Sequence, residues 1–323
     1  MYFGLRFDFR NPSFTDTSMA DRYAAALDMA AWADALGCVS IAVSEHHGSP
    51  DGYLPSPVPM LAAMAARTTN VRLMVAALVA PFHDPLRLAE DLLVLDNLSR
   101  GRVDLIVAAG YVEEEFAMFG VPRRERVRRV GETVATLRAA FSGQPFEFRG
   151  RTVQLTPAPF LRGGPQVSLG GSSEAAARRA ARIADGFVPT DPVYWEAYRD
   201  EVVRLGRPDP GPCLIPPARV VALAEDPEQG WEQMMPYFLH EVNGYGSWQA
   251  ASGADTPYRT VADAEELRRS GRYLVCTPAQ LVDELRGAPL PFVSLHPLCG
   301  GMPPALAWES LRLLERDVLP AFG

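Results

Sequence analysis

Val39-Ser40-Ile41-Ala42-Val43-Ser44-Glu45-His46-His47 is the stretch that decides the fold. Its first six residues form a short apolar run with β-branched side chains, the pattern of a strand buried on both faces of a parallel sheet. Glu45, His46 and His47 follow where that run stops. Three ionisable groups at the mouth of a buried strand are costly unless they act. In α/β folds, ligands bind where parallel strands end.

Outward from this stretch, strand and helix patterns alternate. An Ala-rich amphipathic stretch, residues 21–36, ends at Gly37 before the strand, and Gly37 reads as a helix C-terminal glycine. Asp84-Pro85 opens a later helix with proline in its first turn. Strands are expected near 2–8, 38–44, 71–78, 102–108, 166–169, 186–189, 219–224 and 292–296. Helices follow them near 21–36, 59–68, 85–98, 126–141, 173–184, up to 205, 227–240 and 305–319, with one more near 278–285. Eight strands, each followed by a helix, is the count of a single-domain (β/α)8 barrel over 1–323. Insertions are expected near 146–165, as a hairpin or extended excursion, and near 241–272. A doubly wound sheet is the alternative, but Asp8-Phe9-Arg10-Asn11-Pro12 after the first strand is no Gly-rich dinucleotide fingerprint.

Composition narrows the chemistry. The chain has 323 residues, 48% hydrophobic and 22% charged, which suits one large core. A net charge of -8 disfavours nucleic acid and anionic membrane surfaces. All 31 basic residues are arginine, so a lysine Schiff base and a Walker-type phosphate loop are excluded. Cys38, Cys213, Cys276 and Cys299 are scattered without a CxxC pair, which argues for a reducing compartment and against a zinc site. No signal peptide or membrane-spanning stretch is legible, so the expected location is the cytoplasm.

Residues after each strand build the active face of a barrel. They are Asp8 to Asn11, Glu45-His46-His47, Ala76-Ala77, Gly110-Tyr111, Gly170-Gly171-Ser172-Ser173, Thr190-Asp191, Glu225-Asp226 and His296. The acids do not bunch, and adjacent His46 and His47 point opposite ways in an extended segment, so no metal is expected. Either histidine can serve as proton donor or acceptor, or both can brace the loop. Glu45 can orient an imidazole or accept an arginine. Gly170-Gly171-Ser172-Ser173 is more specific: two glycines admit close approach, and two serines open a helix whose free N–H groups favour a phosphate. An ordinary serine N-cap explains one serine but not the glycine pair. Small Ala76 and Ala77 suit either a flat ring or a tightly packed barrel layer. Tyr245, Trp248 and Tyr258, with nearby glycines, read as a substrate lid, a dimer contact or a surface loop.

Together these residues resemble the bacterial luciferase-like monooxygenases, a superfamily of flavin- and deazaflavin-dependent (β/α)8 enzymes. Phe3-Gly4, Glu45-His46-His47, Ala76 to Pro81, His83-Asp84-Pro85, Leu95 to Arg102, Glu115-Phe116, Phe119-Gly120, Leu169 to Ser173, Ala184-Asp185-Gly186, Thr277-Pro278 and Val318-Leu319-Pro320 carry the likeness in order across nearly the whole chain. The resemblance implies a catalytic His46, with Glu45 beside it, next to a flavin ring. It implies a non-proline cis peptide at Ala76-Ala77 under that ring, cofactor contacts from Gly110 and Tyr111, and a phosphate at Gly170, Gly171, Ser172 and Ser173. Bacterial luciferase has a reactive cysteine and a phosphate-binding arginine where this chain has Ala108 and Ala109, so Arg126 becomes the candidate countercharge. The implied activity is a two-component monooxygenase using O2 and reduced FMN from a separate flavin reductase. A hydrophobic or aromatic small molecule of secondary metabolism would be its substrate. A coenzyme F420-dependent hydride-transfer enzyme and a non-catalytic luciferase β-like subunit are the alternatives, and the expected assembly is a homodimer.

Overall fold

The computed structural model describes residues 1–214, 219–252 and 259–323. Its strands are β1 (Tyr2–Phe7), β2 (Ser40–Val43), β3 (Arg72–Val79), β4 (Val103–Ala108), β5 (Phe146–Phe148), β6 (Arg151–Val153), β7 (Gln166–Gly171), β8 (Gly186–Pro189), β9 (Val220–Leu223), β10 (Tyr273–Cys276) and β11 (Phe292–Leu295). The helices are α1 (Met19–Ala35), α2 (Pro57–Arg67), α3 (Pro85–Ser99), α4 (Glu113–Met118), α5 (Arg126–Phe141), α6 (Glu174–Ile183), α7 (Trp195–Arg204), α8 (Pro227–Ser252), α9 (Ala264–Arg269), α10 (Pro278–Gly287) and α11 (Pro304–Leu313). Strands β5 and β6 form a small antiparallel hairpin. The other nine are parallel, in the order β10-β9-β11-β1-β2-β3-β4-β7-β8.

Alternation along each strand decides which way it faces. Phe3, Leu5 and Phe7 of β1, Ile41 and Val43 of β2, and Leu73 and Val75 of β3 are fully buried under the helices. The opposite faces carry small or polar side chains. There Gly4 leaves room for Ser40, whose Oγ would lie 2.9 Å from an added Cβ. Residues at the ends of β1, β2, β3, β4, β7 and β8 all reach one cavity. A flat sheet cannot do this, so the sheet wraps around its inner face with the helices outside, as in a (β/α)8 barrel. Bulky Leu, Val, Phe and Met side chains between the sheet and its helices form one continuous apolar core. Each such side chain, once buried, contributes roughly 1.5–3 kcal/mol.

Two expectations need correction. The sheet has nine parallel strands, because Tyr273–Cys276 adds one that pairs along β9. Four residues between Gly271 and Pro278 are too short to show a period. The helix expected to stop at His240 runs on to Ser252. Asn243, Gly244 and Gly246 are poor helix formers, so propensity argues for a break. Packing overrides it: a Cβ on Gly244 would lie 2.9 Å from the Arg10 guanidinium, and one on Gly246 would lie 2.4 Å from the Thr260 nitrogen. The glycines let α8 lie close on its neighbours. The insertion expected over 241–272 therefore begins as helix, and Tyr258 lies outside the described residues.

Candidate active site

The cavity at the carboxyl ends of the strands has a volume of about 840 Å3, within the range of cofactor and ligand sites. Glu45, His46, Ala76, Ala77, Gly110, Tyr111, Arg126, Gly170, Gly171, Ser172 and Ser173, singled out from sequence, lie around it, as do Thr190 and Tyr245. Glu225 and Asp226 do not, and Glu225 pairs instead with Arg316 on the surface.

His46 is the one histidine that lines the cavity among the described residues, and it is buried. Its Nδ1 lies 2.8 Å from Glu115 Oε1, which also accepts the His47 backbone N–H at 2.8 Å. Tyr111 Oη stands 3.4 Å from its Nε2. Trp248 of α8 stacks on the imidazole at 4.3 Å, and Tyr53 meets it edge-on at 4.8 Å. Imidazole orientation is thus fixed by a carboxylate on one side and aromatic rings around it.

Glu45 faces a different pair of histidines. Its Oε1 lies 2.7 Å from His47 Nε2 and 2.8 Å from His83 Nε2, and its Oε2 accepts the Val79 N–H at 2.7 Å. Burial alone would raise its carboxyl; the bonds from His47 and His83, the charge of His83 and the Val79 N–H outweigh burial and bring it down to about 2. Next to it, Ser44 Oγ donates to the Ala76 carbonyl at 2.7 Å. Ser44 and Glu45 therefore clamp both ends of the β3 segment where the register to β4 shifts between Ala76 and Leu78. The Ala76-Ala77 peptide in that segment is cis.

The opposite end of the cavity is basic. Ser173 caps α6, accepting the Ala176 N–H at 3.2 Å, and Ser172 precedes it. Arg123, Arg126 and Arg179 line the same end. Burial and the charges of Arg123 and Arg179 together lower Arg126 from its ordinary value. Arg126 donates to the Gly110 carbonyl at 2.8 Å. Among the described residues, Arg179 has no carboxylate partner within salt-bridge distance. Arg123 also pairs with Glu113 at 3.2 Å, and arginines beside a helix N-terminus form a setting that favours an anion. Gly171 has a further reason to be glycine: a Cβ there would lie 2.5 Å from Ala176 Cβ, so it also sets the fit of α6 on β7.

A buried polar network underlies the third side. Arg10 is 2% exposed and ion-paired with Asp51 at 2.6 Å. Its guanidinium sits over Trp248, Tyr53 and Tyr245 at 4.6, 4.9 and 5.2 Å. Arg6 at the end of β1 reaches Glu241 at 3.0 Å and Tyr245 Oη at 3.1 Å, and both Arg6 and Tyr245 face the cavity. His296, expected at a strand end, lies behind this layer, 3.5 Å from Asp8 and 3.6 Å from Glu241. Glu241, His296 and Cys299 bring three ligand-type atoms within 4.8 Å of one another. The Glu241 carboxylate is already bonded to Arg6 and Tyr273.

Sequence reasoning missed Arg6, Tyr53, Arg123, Arg179 and Gln249 as cavity residues, and quoted Glu115 only for its family likeness. One signal was available: Ala175 and Arg179 are four apart within α6, which places them on one helical face.

The geometry defines a barrel with a cofactor-sized cavity at the carboxyl ends of its strands, lined by arginines and serines and by an enclosed histidine. The chain belongs to the luciferase-like monooxygenase family, whose model matches residues 1–289. It is 27% identical over 210 residues to the FMNH(2)-dependent dimethylsulfone monooxygenase of Pseudomonas putida, covering 60% of this chain and 57% of that one. This chain thus spans little more than half of that relative. The crystal structure of monooxygenase RslO1 from Streptomyces bottropensis is similar over 100% of both chains, with TM-score 0.76 and 26% identity. An F420-dependent secondary alcohol dehydrogenase shares the fold at TM-score 0.70 and 15% identity, over 100% of this chain and 99% of that one. Among the described residues, no helix is long and apolar enough to cross a membrane.

Proposed function

We propose that this protein is the oxygenating component of a two-component monooxygenase that uses reduced FMN delivered by a separate flavin reductase. One observation carries the reading: a single cavity joins an arginine-serine end, a floor of small residues and an enclosed histidine. Ser172, Ser173, Arg126 and Arg179 would hold the phosphate, and Ala76, Ala77, Ile106 and Ala108 would leave room for a flat ring. The residues present fit such a group. Reduced flavin supplies the reaction with O2, which no side chain here can provide.

The chain's own residues do the rest. His46 holds or moves a proton at Nε2 while Glu115 fixes Nδ1. Glu45 holds the β3 segment in place through Val79. Tyr53, Tyr245 and Trp248 exclude water around the imidazole. The aromatic wall suits a hydrophobic or aromatic small molecule. We further propose that the protein works in the cytoplasm as a homodimer.

Titration with FMN and with coenzyme F420, each oxidised and reduced, tests this reading. FMN binding with reductase-dependent oxygen uptake is the expected result. F420 binding without oxygen uptake would replace it with hydride transfer. Binding of neither would point to a non-catalytic subunit.

A further inference from the structure

The loop from β4 to α4 closes on His46 from both sides. Gly110, at φ 72°, turns the chain after β4. Its carbonyl is held by Arg126 at 2.8 Å. Tyr111 then reaches the imidazole Nε2 at 3.4 Å, and Glu115, four residues on, takes Nδ1 at 2.8 Å. The Tyr111 and His46 rings are near perpendicular, at 80° with centroids 5.7 Å apart, so the hydroxyl can approach the ring edge where Nε2 sits. Tyr111 and Glu115 both line the cavity, and Glu115 Oε2 is buried with no hydrogen-bond partner. A 3.4 Å separation is long for a hydrogen bond, but such contacts tighten once a ligand fills the site.

Resting on the function proposed above, we propose that Tyr111 is the acid–base group at the cavity face, with His46 and Glu115 as the relay behind it. When a bound oxygen takes a proton, Tyr111 Oη–H breaks and the new O–H bond forms on the ligand. The tyrosyl oxygen takes the Nε2 proton in the same event, leaving neutral imidazole with its Nδ1–H on Glu115. In the reverse direction each proton moves one place back, and no electrons are transferred. Glu115 is a positioning residue: it keeps a proton on Nδ1 so that Nε2 does the exchange.

Two readouts test this, one independent of any cofactor. The chain has only 5 histidines, so long-range 1H–15N spectra of the apoprotein resolve each imidazole. Tyr111→Phe is expected to move the His46 Nε2 resonance and leave the other four histidines unchanged. Glu115→Gln is expected to alter the tautomer balance of His46. In the flavin-loaded enzyme at saturating flavin, Tyr111→Phe should lower kcat roughly 10²-fold or more. An unmoved His46 resonance in Tyr111→Phe overturns the proposal. So does full turnover in that variant with flavin bound. If the wild-type protein binds neither FMN nor F420, the proposed function fails instead, and the apoprotein spectra still decide whether the hydroxyl sits on Nε2.

Discussion

Replacing Glu45 by Gln should cost stability in a way that depends on pH. The Glu45 carboxylate is fully buried and its pKa falls from 4.5 to about 2. At 1.36 kcal/mol per unit, that difference corresponds to about 3 kcal/mol. Bond counting agrees in scale: Val79, His47 and His83 all donate to it, and bonds to a charged acceptor contribute roughly 1.5–3 kcal/mol each before desolvation. Glutamine keeps the shape but turns one acceptor into a donor facing donors. The folded pKa is depressed, so the stabilisation is present above the unfolded value near 4.5 and is lost as pH falls toward 2. Urea unfolding of both proteins should therefore differ by about 3 kcal/mol at pH 7 and by roughly half of that at pH 3. Flavin affinity should fall as well, because Val79 follows directly on the Ala76 to Leu78 segment. A difference below about 1 kcal/mol that stays constant with pH would refute the reasoning.

Three other outcomes follow from the same geometry. Ser172→Asp and Arg179→Ala should each weaken flavin binding, the first by repulsion and the second by loss of countercharge, with the wild-type affinity falling as salt rises; fluorescence titration at two ionic strengths checks both. His46→Ala should bind flavin normally yet lose product formation by roughly 10²-fold or more, measured with a flavin reductase present. Gly244→Ala gains about 1 kcal/mol of helix propensity. It also forces a methyl against the buried Arg10 guanidinium at 2.9 Å, and such overpacking typically costs about 1–3 kcal/mol. A lower thermal midpoint is expected, and a higher one would mean that Arg10 can move.

Much of this was legible because short apolar runs mark strands, although β2 buries only alternate residues fully rather than both faces as expected. Val39 to Ser44 and Arg102 to Ala108 are apolar runs whose ends mark the mouth, so residues following them fall around one cavity without any knowledge of pairing. The glycine-serine loop was legible for the same reason. What escaped was set by contacts between distant segments. Gly244 and Gly246 look like helix breakers until Arg10 and Thr260 are seen against them. Glu45 is adjacent to His46 in sequence, yet it serves His47 and His83, because neighbouring side chains in an extended chain diverge. The partner of His46 comes from Glu115, 69 residues away. No local pattern encodes that choice.

The Arg10 guanidinium beneath Tyr53, Tyr245 and Trp248 has a consequence for changing what the cavity accepts. Widening the mouth by trimming one of these rings would uncover a buried cation held by Asp51, and water would follow it to the imidazole. Engineering for bulkier molecules therefore belongs elsewhere on the cavity wall, at positions such as Val188 or Thr190. There a change of side chain alters room without disturbing charge.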